Sequence, residues 1–178
     1  MAAKIGRHPI HPMLIVFPIG LWVFSLIADL ILLYGGEPFW RELSFFSMVG
    51  GLIGALVAAL PGMIDYWSMG DSPARKIATR HMTLNLIVVA LYAANIWLRW
   101  ETGGVGGWPL VLSLVAVFLL AISGWLGGEL VYVHGVAVEK TPSAPTIEKE
   151  APLHRDDYRR MAHGRISERQ NSGKEGRL

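Results

Sequence analysis

Four long apolar stretches alternate with short polar ones along this chain, over residues 13–34, 43–64, 82–98 and 108 to about 133. Each approaches the roughly 17–25 residues needed to cross the hydrocarbon layer of a bilayer. None shows the every-second-residue alternation of a barrel strand, and lipid gives backbone amides no partner, so each is predicted to be a helix. The links 35–42 and 99–107 are short and contain glycine, while 67–80 is longer and holds Asp71, Ser72 and Pro73. Ser72 or Asp71 can cap a short helix leading into the third span. Short links favour antiparallel neighbours, which predicts an all-α, integral membrane four-helix bundle with up-down-up-down topology. The first span exceeds a signal-peptide core and carries Asp29 and Tyr34 where cleavage would occur, so it is expected to be retained.

Within the spans, Gly50, Gly54, Ala58 and Gly62 recur every four residues, which predicts close helix approach along span two. Packing inside one chain is the expectation for that stripe, with a homodimer seam as the alternative. Pro18 and Pro61 each remove a backbone donor and predict kinks. Trp40, Trp67, Trp97, Trp100 and Trp108 fall near span ends, as interfacial aromatic belts do. Beyond residue 138 the apolar pattern stops. Residues 1–138 are therefore read as the transmembrane domain and 139–178 as a polar, disordered cytoplasmic tail with one short helix around 156–162; His154 and His163 belong to that tail as surface residues.

Composition narrows the chemistry. Of 178 residues 52% are hydrophobic, too many for an ordinary soluble domain, and none is cysteine. Disulfides, thiolate-bound zinc and cysteine-bound iron–sulfur clusters are thus excluded within the chain, and any metal must be held by nitrogen and oxygen. The formal charge of +2 conceals an asymmetry. Lys4 and Arg7 precede span one, Arg75, Lys76 and Arg80 link spans two and three, and the tail is rich in Lys and Arg, whereas the opposite side has Arg41 and Arg99. The positive-inside rule then places both termini in the cytoplasm, in a bacterial inner (plasma) membrane. The tail interleaves its basic residues with acids, so no nucleic-acid partner is expected.

Alternating threading brings the starts of spans one and three and the ends of spans two and four to one face, where His8, His11, Asp65, His81, Glu129 and His134 would converge. Pro12 suits a first helical turn, which makes His11 a natural cap position. Asn85 lies one turn beyond His81 on the same face. If the fourth helix persists to His134, Glu129 lies about 7 Å deeper, at a cost of roughly 2–3 kcal/mol unless paired or wetted. Pairing alone satisfies these groups in another reading, with Glu129 meeting Arg80 or His81 and Asp65 meeting Arg7 or Arg75. Asp29, near the other face, is expected to be a packed hydrogen-bonding residue. Each hairpin starts with a histidine (His11, His81) and ends with an acid near an aromatic (Asp65 with Tyr66, Glu129 with Tyr132), a pattern that suggests two parallel repeats about an axis normal to the membrane.

The opening His8-Pro9-Ile10-His11-Pro12, Phe17-Pro18, Asp29, the stretch from Gly62 to Asp65, His81, and Gly127-Gly128-Glu129-Leu130-Val131-Tyr132 running to His134-Gly135-Val136 resemble a bacterial family of predicted four-span membrane proteins, domain of unknown function 2231. The resemblance spans roughly residues 6–138. Some relatives join this domain to Rieske-type or cytochrome-like modules, which implies electron transfer by association; this chain, without cysteine, would need a bound cofactor or a separate redox partner protein.

From these residues the leading expectation is a b-type haem or transition-metal site serving membrane redox chemistry. His81 and His134 are the preferred axial pair for haem, and His8, His11, Asp65, His81, Glu129 and His134 are the candidate ligands for a metal. Two other readings fit the same chain: a cofactor-free membrane anchor or assembly subunit, and a small-molecule or proton pathway with Asp29 as its midway step. No nucleophile with a positioned base, phosphate loop or protease motif is present, so the chain is not expected to be an enzyme acting alone, though a redox complex could include it as a subunit.

Overall fold

The computed structural model describes residues 3–6 and 8–138, so Arg7 and the tail, with its histidines and its expected short helix, lie outside the described residues. A two-stranded antiparallel hairpin, β1 (Lys4–Ile5) and β2 (His8–Pro9), leads into α1 (Ile10–Leu14), α2 (Val16–Leu33), α3 (Phe39–Trp67), α4 (Pro73–Thr102) and α5 (Trp108–Tyr132). The segment Ile10–Leu33 and the three longer helices are each long and apolar enough to cross a membrane. The predicted all-α bundle of four spans is therefore present.

Local chemistry sets the boundaries. The Pro18 nitrogen cannot donate to the carbonyl of residue 14, and the helical ladder is interrupted at Ile15, between α1 and α2. Pro61 lies inside α3, which continues through it to Trp67. His11 is inside α1 rather than at its cap, a position taken by Pro9. Ser72 caps α4 by accepting from the Arg75 amide, with Pro73 opening the helix. That helix is one continuous element from Pro73, not a short helix followed by a span. At its other end it passes Leu98 and stops at Thr102, where Gly103 adopts a left-handed φ of 65° and returns its amide to the Arg99 carbonyl. Arg99 is consequently a helical residue, not part of the link.

Packing joins α2 to α3, α3 to α4, α4 to α5 and α5 back to α2, closing a ring in which α2 and α4 are diagonal neighbours. Small residues let the backbones approach. A Cβ at Gly51 would come within 2.5 Å of the Trp22 ring, one at Gly54 within 3.3 Å of Pro18, and one at Gly62 within 2.8 Å of His11 Nδ1. The stripe predicted on span two thus faces α1 and α2 of its own chain. Large apolar side chains such as Phe46, Leu60, Phe118 and Trp125 are exposed, while Ala28, Ala58, Ala116, Ser25, Ser44 and Ser113 are buried. That inversion of a soluble protein's pattern is what a lipid-facing surface requires.

Candidate functional site

Two polar sites occupy opposite ends of the bundle, joined by an aromatic plug between the diagonal helices. In the plug Trp22 of α2 stacks on Tyr92 of α4, with ring centroids 4.3 Å apart and planes 5° from parallel. The indole nitrogen donates to the Met48 carbonyl at 3.3 Å, so the ring is fixed in azimuth as well as in depth.

At the end that carries the N-terminal hairpin, His11 of α1 meets His81 of α4 edge to face, with centroids 6.4 Å apart and planes at 88°. His11 Nδ1 lies 2.8 Å from the Ala58 carbonyl on α3, and His81 Nδ1 lies 2.8 Å from the Ser123 carbonyl on α5. A carbonyl only accepts, so Nδ1 carries a proton in both rings, and in His81 the Nε2 that accepts from Asn85 carries a lone pair. Asn85, one turn along α4, donates its side-chain amide to His81 Nε2 at 3.1 Å and to the His81 carbonyl at 2.9 Å. Each ring also rests on a glycine four residues beyond its carbonyl partner: Gly62 under His11, and Gly127 under His81, where a Cβ would stand 3.1 Å from Cε1.

The other predicted members of this cluster go elsewhere. Asp65 is buried at the end of α3 and accepts the backbone amide of Ala3, tying down the N-terminal hairpin. Arg75, offered as its partner, instead donates to the Met69 carbonyl and lies over the Tyr66 ring. His8 is exposed in β2. α5 ends at Tyr132, and His134, whose amide bonds to the Glu129 carbonyl, follows in a turn, so the helix does not persist to His134. Glu129 is partly buried and makes no salt bridge to Arg80 or His81 among the described residues. Among those residues no three His, Asp or Glu side chains are grouped to hold a metal ion. The six residues therefore do not form one coordination sphere, and the ring neighbour of His81 is His11.

At the opposite end sequence reasoning missed a second site. Arg99 of α4 and Asp29 of α2 form a salt bridge with side chains 3% and 0% exposed. All five N–H donors of Arg99 are used: Nη1 reaches Asp29 Oδ1 at 2.7 Å and Ser44 Oγ at 3.0 Å, Nη2 reaches Asp29 Oδ2 and Ser113 Oγ, and Nε reaches Asn95 Oδ1. Ser44 in turn donates to Asp29, and Asn95 donates to Ser113 Oγ and the Pro109 carbonyl. The network takes a group from each of the four long helices. Asp29 is thus the packed hydrogen-bonding residue expected, and its cation partner Arg99 lies in α4 rather than in the link 99–107.

One interval links these layers. Trp22 and Tyr92, like Asp29 and Arg99, are 70 residues apart, and His11 and His81 share that interval. Ala58 and Gly62 on α3 are matched by Ser123 and Gly127 on α5. The two hairpins superpose in role along the bundle axis, as the suggested parallel repeat requires, but the acids do not take part: Asp65 is buried against the N-terminal hairpin, and Glu129 has no counterpart bond.

The family described as predicted membrane protein (DUF2231) matches residues 7–140, which includes both histidines, both members of the ion pair and all five helices. The chain belongs to this family. No curated protein and no solved structure matches it. Membership in DUF2231 agrees with a four-span membrane protein and assigns no chemistry, so the function must be argued from the geometry.

Proposed function

We propose that the His11–His81 end of the bundle holds a b-type haem between its two imidazoles and that the protein serves a membrane redox partner as a one-electron carrier. The observation that carries this reading is the pair of neighbouring imidazoles on α1 and α4, each with Nδ1 committed to a main-chain carbonyl. Such a bond fixes the tautomer and ring orientation and raises the basicity of the nitrogen left for a ligand. Metal–imidazole bonds are about 2.0–2.1 Å long, so one ion shared by two imidazoles would set their centroids roughly 6 Å apart; the centroids here are 6.4 Å apart in an edge-to-face setting, from which one ring would turn to present its Nε2. A bare ion would need further protein donors, which are not grouped among the described residues. Haem would bring its own ring nitrogens and would need only His11 and His81 from the protein.

His11 thus takes the place expected of His134. Haem would supply a one-electron couple at that position. The protein's own contribution is to orient the rings through Ala58 and Ser123 and to make room beside them with Gly62 and Gly127. Asn85 supports a second reading, because its bond already satisfies His81 Nε2: a cofactor-free anchor in which the histidines simply tie helices together.

Absorption spectra of protein purified from haem-replete cells separate the two. A Soret band lost in His11→Ala and in His81→Ala, and kept in His134→Ala and His8→Ala, supports the haem site. Folded protein with neither Soret band nor bound metal refutes it and leaves the anchor.

A further inference from the structure

We propose that a cavity at the start of α4 binds the phosphate of an anionic phospholipid taken from the surrounding bilayer. The cavity has a volume of about 750 Å³ and is lined by Arg75, Lys76, Arg80, Asp71, Thr79 and Ile77 among others. Three cations against one carboxylate give it a positive field. Topological rules account for the sign of those charges but not for how Arg75 is held. Its guanidinium donates to the Met69 carbonyl and lies 4.9 Å over the Tyr66 ring, whose hydroxyl is 3.0 Å from Thr79 Oγ1. Thr79 in turn donates to the Arg75 carbonyl at 2.9 Å. A braced arginine beside two exposed cations has lost its side-chain freedom before any anion arrives, which lowers the entropic cost of binding.

The level in the bilayer selects the source of the phosphate. The apolar part of α4 begins at Met82, so residues 73–81 add about 13 Å of helix, enough to traverse a headgroup layer of roughly 5–8 Å. Tyr66 and the largely exposed Trp67 close α3 beside it, where interfacial aromatics concentrate. Ile77 offers an apolar contact beside the cations for the glycerol end of an acyl chain. Basic pockets at the ends of membrane helices recognise anionic headgroups on this principle.

Native mass spectrometry of the full chain released from nanodiscs of mixed phosphatidylglycerol and phosphatidylcholine tests the proposal, together with thermal shifts against each lipid and inorganic phosphate. Retained phosphatidylglycerol is expected, with affinity falling roughly fivefold for Lys76→Gln or Arg80→Gln and about 25-fold for both. Lys4→Gln, at the same end but outside the cavity, should leave it unchanged. Equal loss in Lys4→Gln would mean diffuse surface charge and overturn the site. Equal retention of the two lipids would also overturn it, and so would stabilisation by inorganic phosphate matching that by phosphatidylglycerol, which would reassign the cavity to soluble anions.

Discussion

Arg99 shows what a single side chain can do when every donor is matched. Desolvating a guanidinium costs several kcal/mol, and Asp29, Asn95, Ser44 and Ser113 together offset that cost, because no donor is left unpaired. Removing one partner is therefore worse than removing both. Arg99→Met should destabilise the fold by about 3–5 kcal/mol, since it strands a buried carboxylate, whereas Asp29→Leu combined with Arg99→Met should recover much of the loss. Unfolding in mixed detergent micelles would measure both, and a double variant as unstable as the single would show that the pair is needed for more than mutual neutralisation. Arg99→Lys should also fail to restore stability, because an ammonium cannot reproduce the bidentate fork. Hydropathy drops at Arg99, which by local pattern alone marks the end of the span. Its burial depends on a carboxylate 70 residues away, which no local pattern reports.

At the level of helices, glycine placement divides close packing from open surface. Gly51 and Gly62 lie where an added methyl would collide with Trp22 and His11, while at Gly124 and Gly128 it would meet nothing within 4 Å. Gly51→Ala and Gly62→Ala are expected to cost about 1–3 kcal/mol through forced displacement of the facing ring. Gly124→Ala and Gly128→Ala should be neutral or stabilising by up to about 1 kcal/mol, since alanine favours the helix. Comparing the four variants by thermal unfolding checks the assignment, and similar losses at all four would contradict it. The four-residue rhythm of span two was legible in the sequence because period and residue size are local properties. Which neighbour it faces was not, because that choice rests on how the chain folds back through Gly35 and Gly36. Pro18 was legible as a disruption, and the break at Ile15 sits where its missing donor and ring crowding require.

For the molecule as a whole, four spans and their alternation followed from hydropathy and link length, which the absence of water in the bilayer makes nearly decisive. The candidate site was only half legible: His11 and His81 are among the residues brought to one end, while His134, preferred as the partner of His81 because the two belong to different helices, lies in a turn beyond Tyr132. Burial of Arg99 also sharpens the charge asymmetry. The end opposite the histidines keeps Arg41 as its exposed cation among Glu37, Glu42 and Glu101, while the histidine end has Lys4, Lys76 and Arg80. Both termini are accordingly predicted to be cytoplasmic. Since the chain has no cysteine, Gly70→Cys and Gly104→Cys provide clean reporters: an impermeant thiol reagent applied to intact cells should label Gly104→Cys and spare Gly70→Cys, and the reverse pattern would invert the topology.

The repeat interval carries one more consequence. Were the two hairpins separate copies of one polypeptide, every position on the axis would face its own duplicate, and a carboxylate there would meet a carboxylate. Linking the halves in one chain lets each position differ from its counterpart, so acid can oppose base and indole can lie on phenol. The symmetry of the backbone persists while its occupants have become complementary, and the asymmetry of Asn85 beside only one of the two imidazoles is another product of that freedom.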